Sequence, residues 1–166
     1  MASYKPAAIV TTVACACAVI ASAAAAGRDP WLVAQHRLAY TVYEPRATLA
    51  LKLSRFEYPS CYHGRSADSL YTDYGGRVRG FELIEGSPRI CANAASFTVV
   101  GTRTVGAATA HLGVYCKPGR QCSLAQGVAN GYALYWRLGR TRVQINSRRL
   151  TLAQLFQVAT NLRPVG

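Results

Sequence analysis

Apolar and polar residues alternate with a period of two through much of the second half of the chain. In "GYALYWRL" (131–138) and "RTRVQINS" (140–147) this is the period of a strand, in which residues two apart share a face. It sets Tyr132, Leu134, Trp136, Thr141, Val143 and Ile145 on one face. Tyr135, Arg137, Arg140, Arg142 and Gln144 fall on the other. The break between the two runs predicts a hairpin. With Leu138-Gly139 as its two-residue loop, Arg137 faces Arg140, Tyr135 faces Arg142 and Trp136 faces Thr141. Strands are also predicted over 77–85, 96–105 and 109–116, bounded by Gly, Pro and Asn, with a shorter one near 69–74. "ATLALKLSRF" (47–56) reads as a strand that buries Leu49, Leu51 and Leu53.

Helical signals appear at both ends of the exported part. Asp29 as cap and Pro30 at the first helical position predict a helix over 30–38. Thr151 with Gln154 forms a capping box, and Leu150 with Leu155 a hydrophobic staple. Leu152, Leu155, Phe156, Ala159 and Leu162 then line one stripe, Arg163 stands at the helix end and Pro164 stops it. The expected fold class is α+β. It comprises an antiparallel sheet of about five to seven strands with a packed C-terminal helix, preceded by an N-terminal apolar helix.

That N-terminal segment bears on compartment. Ala7 to Ala26 is uncharged, follows Lys5, and ends in several Ala-x-Ala steps before Gly27. Residues 1–26 read as a secretory signal peptide, which leaves 27–166 as a single exported α+β domain. The alternative is a retained membrane or assembly helix: a run this long spans roughly 30 Å, but it holds no Leu or Phe to drive insertion. Cys15 and Cys17 lie inside the run, without the preceding Leu or Val of a lipid-attachment site. Four cysteines remain: Cys61, Cys91, Cys116 and Cys122. After a signal peptide this even count predicts two disulfides. The Pro118-Gly119 turn in "CKPGRQC" favours Cys116–Cys122, and Cys61–Cys91 follows. No metal site is expected, because no Cys-x-x-Cys occurs and His36, His63 and His111 are scattered.

Charge sharpens the picture. The chain carries a net +12, yet all seven acids lie between Asp29 and Glu85. From Gly86 onward nine Arg and Lys117 meet no acid. Such a field attracts an envelope polyanion or an acidic protein partner, and export sets nucleic acid behind both. Sixteen of the nineteen basic residues are Arg, which suits bidentate anion contacts and equally a coding bias toward Arg. Arg137, Arg140, Arg142, Arg148 and Arg149, with Tyr135, are the candidate anion- or partner-binding residues. Parity aligns Arg142 with Tyr135 as a cation–π pair and sets Arg137 against Arg140 as like charges. Arg148 and Arg149 fall in the turn before the last helix.

Catalytic chemistry is sparse. There is no nucleophile elbow, no His-Glu-x-x-His and no phosphate or dinucleotide loop, so no cofactor is expected. His63, Ser66 and Asp68 form the one local cluster that a hydrolase could use, and it reads more simply as a polar loop. His111 reads as a packed or edge strand residue. Glu82 and Glu85 have opposite strand parity and do not converge. Tyr58, Tyr62, Tyr71 and Tyr74 could stack on a sugar, or simply half-bury in strands and loops.

The run from "VVGTRT" through "YALYWRLGRTRVQI" to "LTLAQLFQVATNL", with "VYEP" and "YTDYGGRVRGFELIEG" upstream, resembles a bacterial domain-of-unknown-function family. That family occurs in the extracytoplasmic parts of anti-sigma-factor-type and other envelope proteins. The resemblance covers about residues 40–163 through turn spacing and one aromatic strand, and "CKPGRQC" stands outside it. It implies an exported, non-catalytic sensing or binding domain and transfers no catalytic residue. The expectation is therefore a non-enzymatic envelope or cell-surface binding or regulatory module with a basic face. The alternatives are an accessory subunit that keeps its N-terminal helix in an assembly, and a small secreted hydrolase.

Overall fold

The computed structural model describes residues 29–59, 69–87, 97–116 and 122–166. The apolar run 7–26, Cys61, Cys91, Tyr62 and the His63–Ser66–Asp68 cluster lie outside the described residues.

Asp29 is the expected cap: its Oδ1 accepts from Trp31 N at 2.9 Å and starts α1, Pro30–Arg37. The strands that follow are β1 (Tyr43–Pro45), β2 (Leu53–Glu57), β3 (Ser69–Gly75), β4 (Gly80–Gly86), β5 (Phe97–Val105) and β6 (Ala108–Tyr115). A 3-10 turn and the single-turn helix α2 (Gly127–Asn130) lead into β7 (Tyr132–Leu138) and β8 (Thr141–Arg148). The chain ends in α3 (Leu152–Thr160) and β9 (Leu162–Pro164). Seven strands form one antiparallel sheet in the order β2-β3-β4-β8-β7-β6-β5, and β1 pairs with β9 in a separate ribbon. The α+β expectation stands, at the upper end of the strand count.

The sheet is two meanders joined side by side. β2-β3-β4 is one, β5-β6-β7-β8 the other, and β4 meets β8 at the seam. Alternation along β8 shows how faces are assigned. Thr141, Val143, Ile145 and Ser147 are buried on the inner face, among Phe81, Leu83, Leu112, Leu134 and Trp136. α3 covers this face with Leu155, Val158 and Ala159, and α1 sets Trp31 edge-on against Phe56 at 5.2 Å. The capping box of Thr151 and Gln154 starts α3, and Leu150 and Leu155 are both fully buried beside it.

Four expectations are corrected. The β7–β8 loop is Gly139-Arg140 instead of Leu138-Gly139, so Leu138 pairs with Thr141 and Arg137 with Arg142. The reason is turn chemistry: the first loop residue has φ +58°, which Gly139 adopts freely and Leu138 would not. The displacement is even, so every side chain keeps its face, but Arg140 leaves the face for the turn. Second, β2 begins only at Leu53. Leu49 and Ala50 sit in the left-handed region at φ 57° and 58°, and the leucines at 49 and 51 reach the core from this turn. Third, β4 begins at Gly80, because Gly75 pairs with Gly80 and residues 76–79 form the turn. A Cβ on Gly75 would stand 2.5 Å from the Arg79 carbonyl oxygen, so this closure needs glycine. Fourth, α3 ends at Thr160. Leu162 is buried in β9, where its backbone pairs with Pro45. Arg163 still meets the helix end, donating to the Thr160 carbonyl at 3.3 Å.

One carboxyl sits in the core. Glu85 on the inner face of β4 is fully buried, and its Oε2 accepts from Tyr43 N at 2.9 Å. Its Oε1 has no partner among the described residues. Desolvation pushes the Glu85 pKa well above the ordinary range, and the Tyr43 hydrogen bond offsets this only in part. Because the folded value is raised, the contribution to stability is fully present below the unfolded carboxyl pKa of about 4.3. It is lost as pH rises through the folded value. Glu85→Gln removes that slope, so denaturant unfolding should show the variant gaining on the parent steadily as pH rises from 4. A parent-to-variant difference that is flat with pH would refute a neutral buried Glu85.

Candidate functional site

The face of the sheet turned away from the helices carries most of its polar chemistry. One register row crosses all seven strands: Thr102, His111, Tyr135, Gln144, Ile84, Tyr71 and Glu57. The next row holds Val99, Gly113, Ala133, Asn146, Glu82, Asp73 and Arg55. Ile84 and Gln144 are buried in the middle of this face, with exposed positions toward both edges.

The β2–β3–β4 side is charge-matched. Arg148 bonds Asp73 Oδ1 through Nη2, Glu82 Oε1 through Nη1 at 2.6 Å, and the Gly76 carbonyl through Nε at 3.1 Å. Asn146 donates to the second oxygen of Glu82 at 3.1 Å and accepts from Gln144 at 2.8 Å. Arg55 pairs with Glu57 at 2.6 Å and lies over the Tyr71 ring. Burial first, then the carboxylates of Glu82 and Asp73, raise Tyr71 far above the ordinary phenol range. Tyr115, hydrogen-bonded to Gln144, is pushed up to about 12, mainly by burial and then by Glu82. Neither phenol is a proton source near neutral pH.

The β8–β7–β6 side is different. Arg137 and Arg142 are register partners on neighbouring strands, Arg137 exposed and Arg142 half-buried. Arg142 Nη1 donates to the Tyr135 hydroxyl at 3.0 Å, so the expected pair forms as a hydrogen bond and holds one guanidinium in place. His111 is exposed and paired in register with Tyr135, and Arg140 is exposed in the adjoining turn. No acid stands here among the described residues. Asp29 caps α1, Glu44 pairs with Arg46 at 3.2 Å, Glu57 with Arg55, Asp73 and Glu82 with Arg148, and Glu85 is interior. Every described acid is committed elsewhere, and no described acid compensates Arg137, Arg140 and Arg142.

The structure therefore divides the residues that the sequence grouped. Arg137, Arg140, Arg142 and Tyr135 come together. Arg148 is an internal ion-pair centre at the other end of β8, followed by the exposed Arg149. The tyrosines separate too: Tyr74 stacks on Phe81 in the core at 4.7 Å, Tyr58 lies under Arg37, and Tyr71 is on the outer face. Sequence reasoning missed the Asp73–Arg148–Glu82 triad. Asp73 and Glu82 face each other across one hairpin, but Arg148 lies far from both in the chain, and no local spacing joins it to them. Cys116 and Cys122 stand at disulfide distance, Cα to Cα 6.0 Å, just beyond β6. A recess beside α1 is lined by Asp29, Leu32, Val33 and His36, and its one carboxylate already caps the helix. Among the described residues no three of His, Cys, Asp or Glu converge as metal ligands, and no helix is long and apolar enough to cross a membrane.

Arg148→Ala should leave two neighbouring carboxylates half-buried and unpaired, and cost about 2 kcal/mol in urea unfolding. Adding Asp73→Asn should recover part of that loss by removing the repulsion. A cost under about 0.5 kcal/mol, the level of an ordinary surface pair, would show that the triad does not hold the sheet.

Comparison of this chain with protein-family models, with curated proteins and with solved structures finds no match, and the chemistry of this face is the ground on which function is argued.

Proposed function

We propose that the chain is an exported, non-catalytic binding module of the cell envelope. Its outer sheet face takes an anionic polymer or acidic protein surface through Arg137, Arg142 and Arg140. The observation that carries the reading is the charge distribution. Arg137 and Arg142 are register partners on paired strands, the Arg142 guanidinium held by the Tyr135 hydroxyl, while each described acid is engaged elsewhere. Like charges in register repel mildly when bare, and an anion between them turns that repulsion into two charge-assisted contacts. The Tyr135 hydroxyl positions Arg142 in advance, which lowers the ordering cost of binding. The resemblance to extracytoplasmic envelope domains points the same way, and so does a cysteine pair at bridging distance.

Binding to a soluble polyphosphate should weaken steeply with added salt. The double variant Arg137→Ser/Arg142→Ser should lower affinity about tenfold with the fold intact. Unchanged affinity in that variant would remove this face as the site. The exported reading is checked separately by N-terminal sequencing of the native protein. A start at Gly27 supports cleavage, and an intact Met1 favours the retained helix.

A further inference from the structure

We propose that the β3–β4 turn is a membrane-surface docking tip, which sets Val78 into the headgroup layer of an anionic lipid bilayer. The inference is independent of the anion face, which lies at the opposite end of β8. Residues 76–79 close the Gly75–Gly80 pair, and the apex reads Arg77-Val78-Arg79. Val78 is 69% exposed, more than the other large apolar side chains exposed among the described residues. Both flanking arginines are exposed. The ends of the neighbouring strands add two more exposed cations. Gly75 N donates to the Lys52 carbonyl at 2.8 Å on one side, and Arg149 follows the Arg148 that grips Gly76 on the other.

Two further features favour a bilayer. The outer-face acids on the two strands that carry the turn, Asp73 and Glu82, are both taken by Arg148, so they leave the field of the four exposed cations in place. The turn is also braced: Gly76 N donates to the Arg79 carbonyl at 3.0 Å, and Arg148 Nε donates to the Gly76 carbonyl at 3.1 Å. A braced tip loses little freedom on docking. A soluble polyanion would use the cations and gain nothing from an apolar apex between them. A bilayer surface offers anionic phosphates for the arginines and an apolar layer beneath for the valine. Each cation near such a surface is worth about fivefold in affinity.

The test places a reporter at the apex of the full chain. Trp31 and Trp136 are buried, so Val78→Trp adds one exposed indole. Its emission should shift to the blue on vesicles of phosphatidylglycerol and phosphatidylcholine. It should not shift on phosphatidylcholine alone or with soluble polyphosphate. Arg77→Ser/Arg79→Ser in that background should weaken the response about twentyfold. Val78→Ser, which keeps every charge, should reduce co-sedimentation with the anionic vesicles by about threefold or more. No blue shift on anionic vesicles overturns the proposal. An equal shift with polyphosphate also overturns it and marks a polyanion site, and undiminished co-sedimentation of Val78→Ser removes the apolar contact.

Discussion

The two meanders meet at a single seam, β4 against β8, and no turn sets their register there. Tight turns join β3 to β4, β5 to β6 and β7 to β8, and limit how those pairs can slide. β4 and β8 are far apart in the chain, and a slip of one residue would carry either Glu82 inward and Leu83 outward or Arg148 inward and Ile145 outward. Side chains must therefore specify the pairing. On the inner side they do so by burial of Phe81, Leu83, Val143 and Ile145. On the outer side Arg148 of β8 reaches Glu82 on β4 and Asp73 on β3 together. An ion triad of this kind adds little raw stability, but it penalises every wrong register by stranding charge. The rows that cross the sheet depend on that specification.

The same triad explains where the free charge lies. The chain has few acids, and the seam uses two of them. Others are tied to local arginines, a helix cap and the core. Arg137, Arg140 and Arg142 are left at one end of β7 and β8, and Arg77, Arg79 and Arg149 at the other. Patterned charge follows here from which acids the fold must spend on itself.

How much of this the sequence carried differs by kind of signal. Strand parity placed each residue that it assigned within β7 and β8 on its observed face, because period two survives an error of register. The register itself was misread by the loop. Gly139 belonged at the first loop position, and only its positive φ shows that. Caps were legible, at Asp29 and at Thr151 with Gln154, because each is a local hydrogen bond between neighbouring residues. Leu49 and Leu51 misled, since a leucine packing from a turn looks the same in sequence as one in a strand. Arg148 misled more deeply. Next to Arg149 in sequence it resembled half of a basic pair, yet their environments share little. Adjacent residues at a strand end point opposite ways, and partners on two other strands are invisible from spacing.

The arginines at this end of β7 and β8 hold a further constraint. Arg137 could have been neutralised by a carboxylate on β6, the strand next to β7, and Arg142 by one on β4 at its register partner Gly86. None stands there, and a bare like-charge pair costs a few tenths of a kcal/mol at most. That cost is small enough for a stable core to carry without compensation. Unpaired arginines on a sheet are thus compatible with a solvated face, and exposure alone does not distinguish a site. What sets the proposed face apart is order. Arg142 is half-buried and held at 3.0 Å by the Tyr135 hydroxyl, whereas a purely solvated arginine gains nothing from being fixed. Fixing a long cation loses rotamer freedom, and a ligand that needs it in that place recovers the loss on binding.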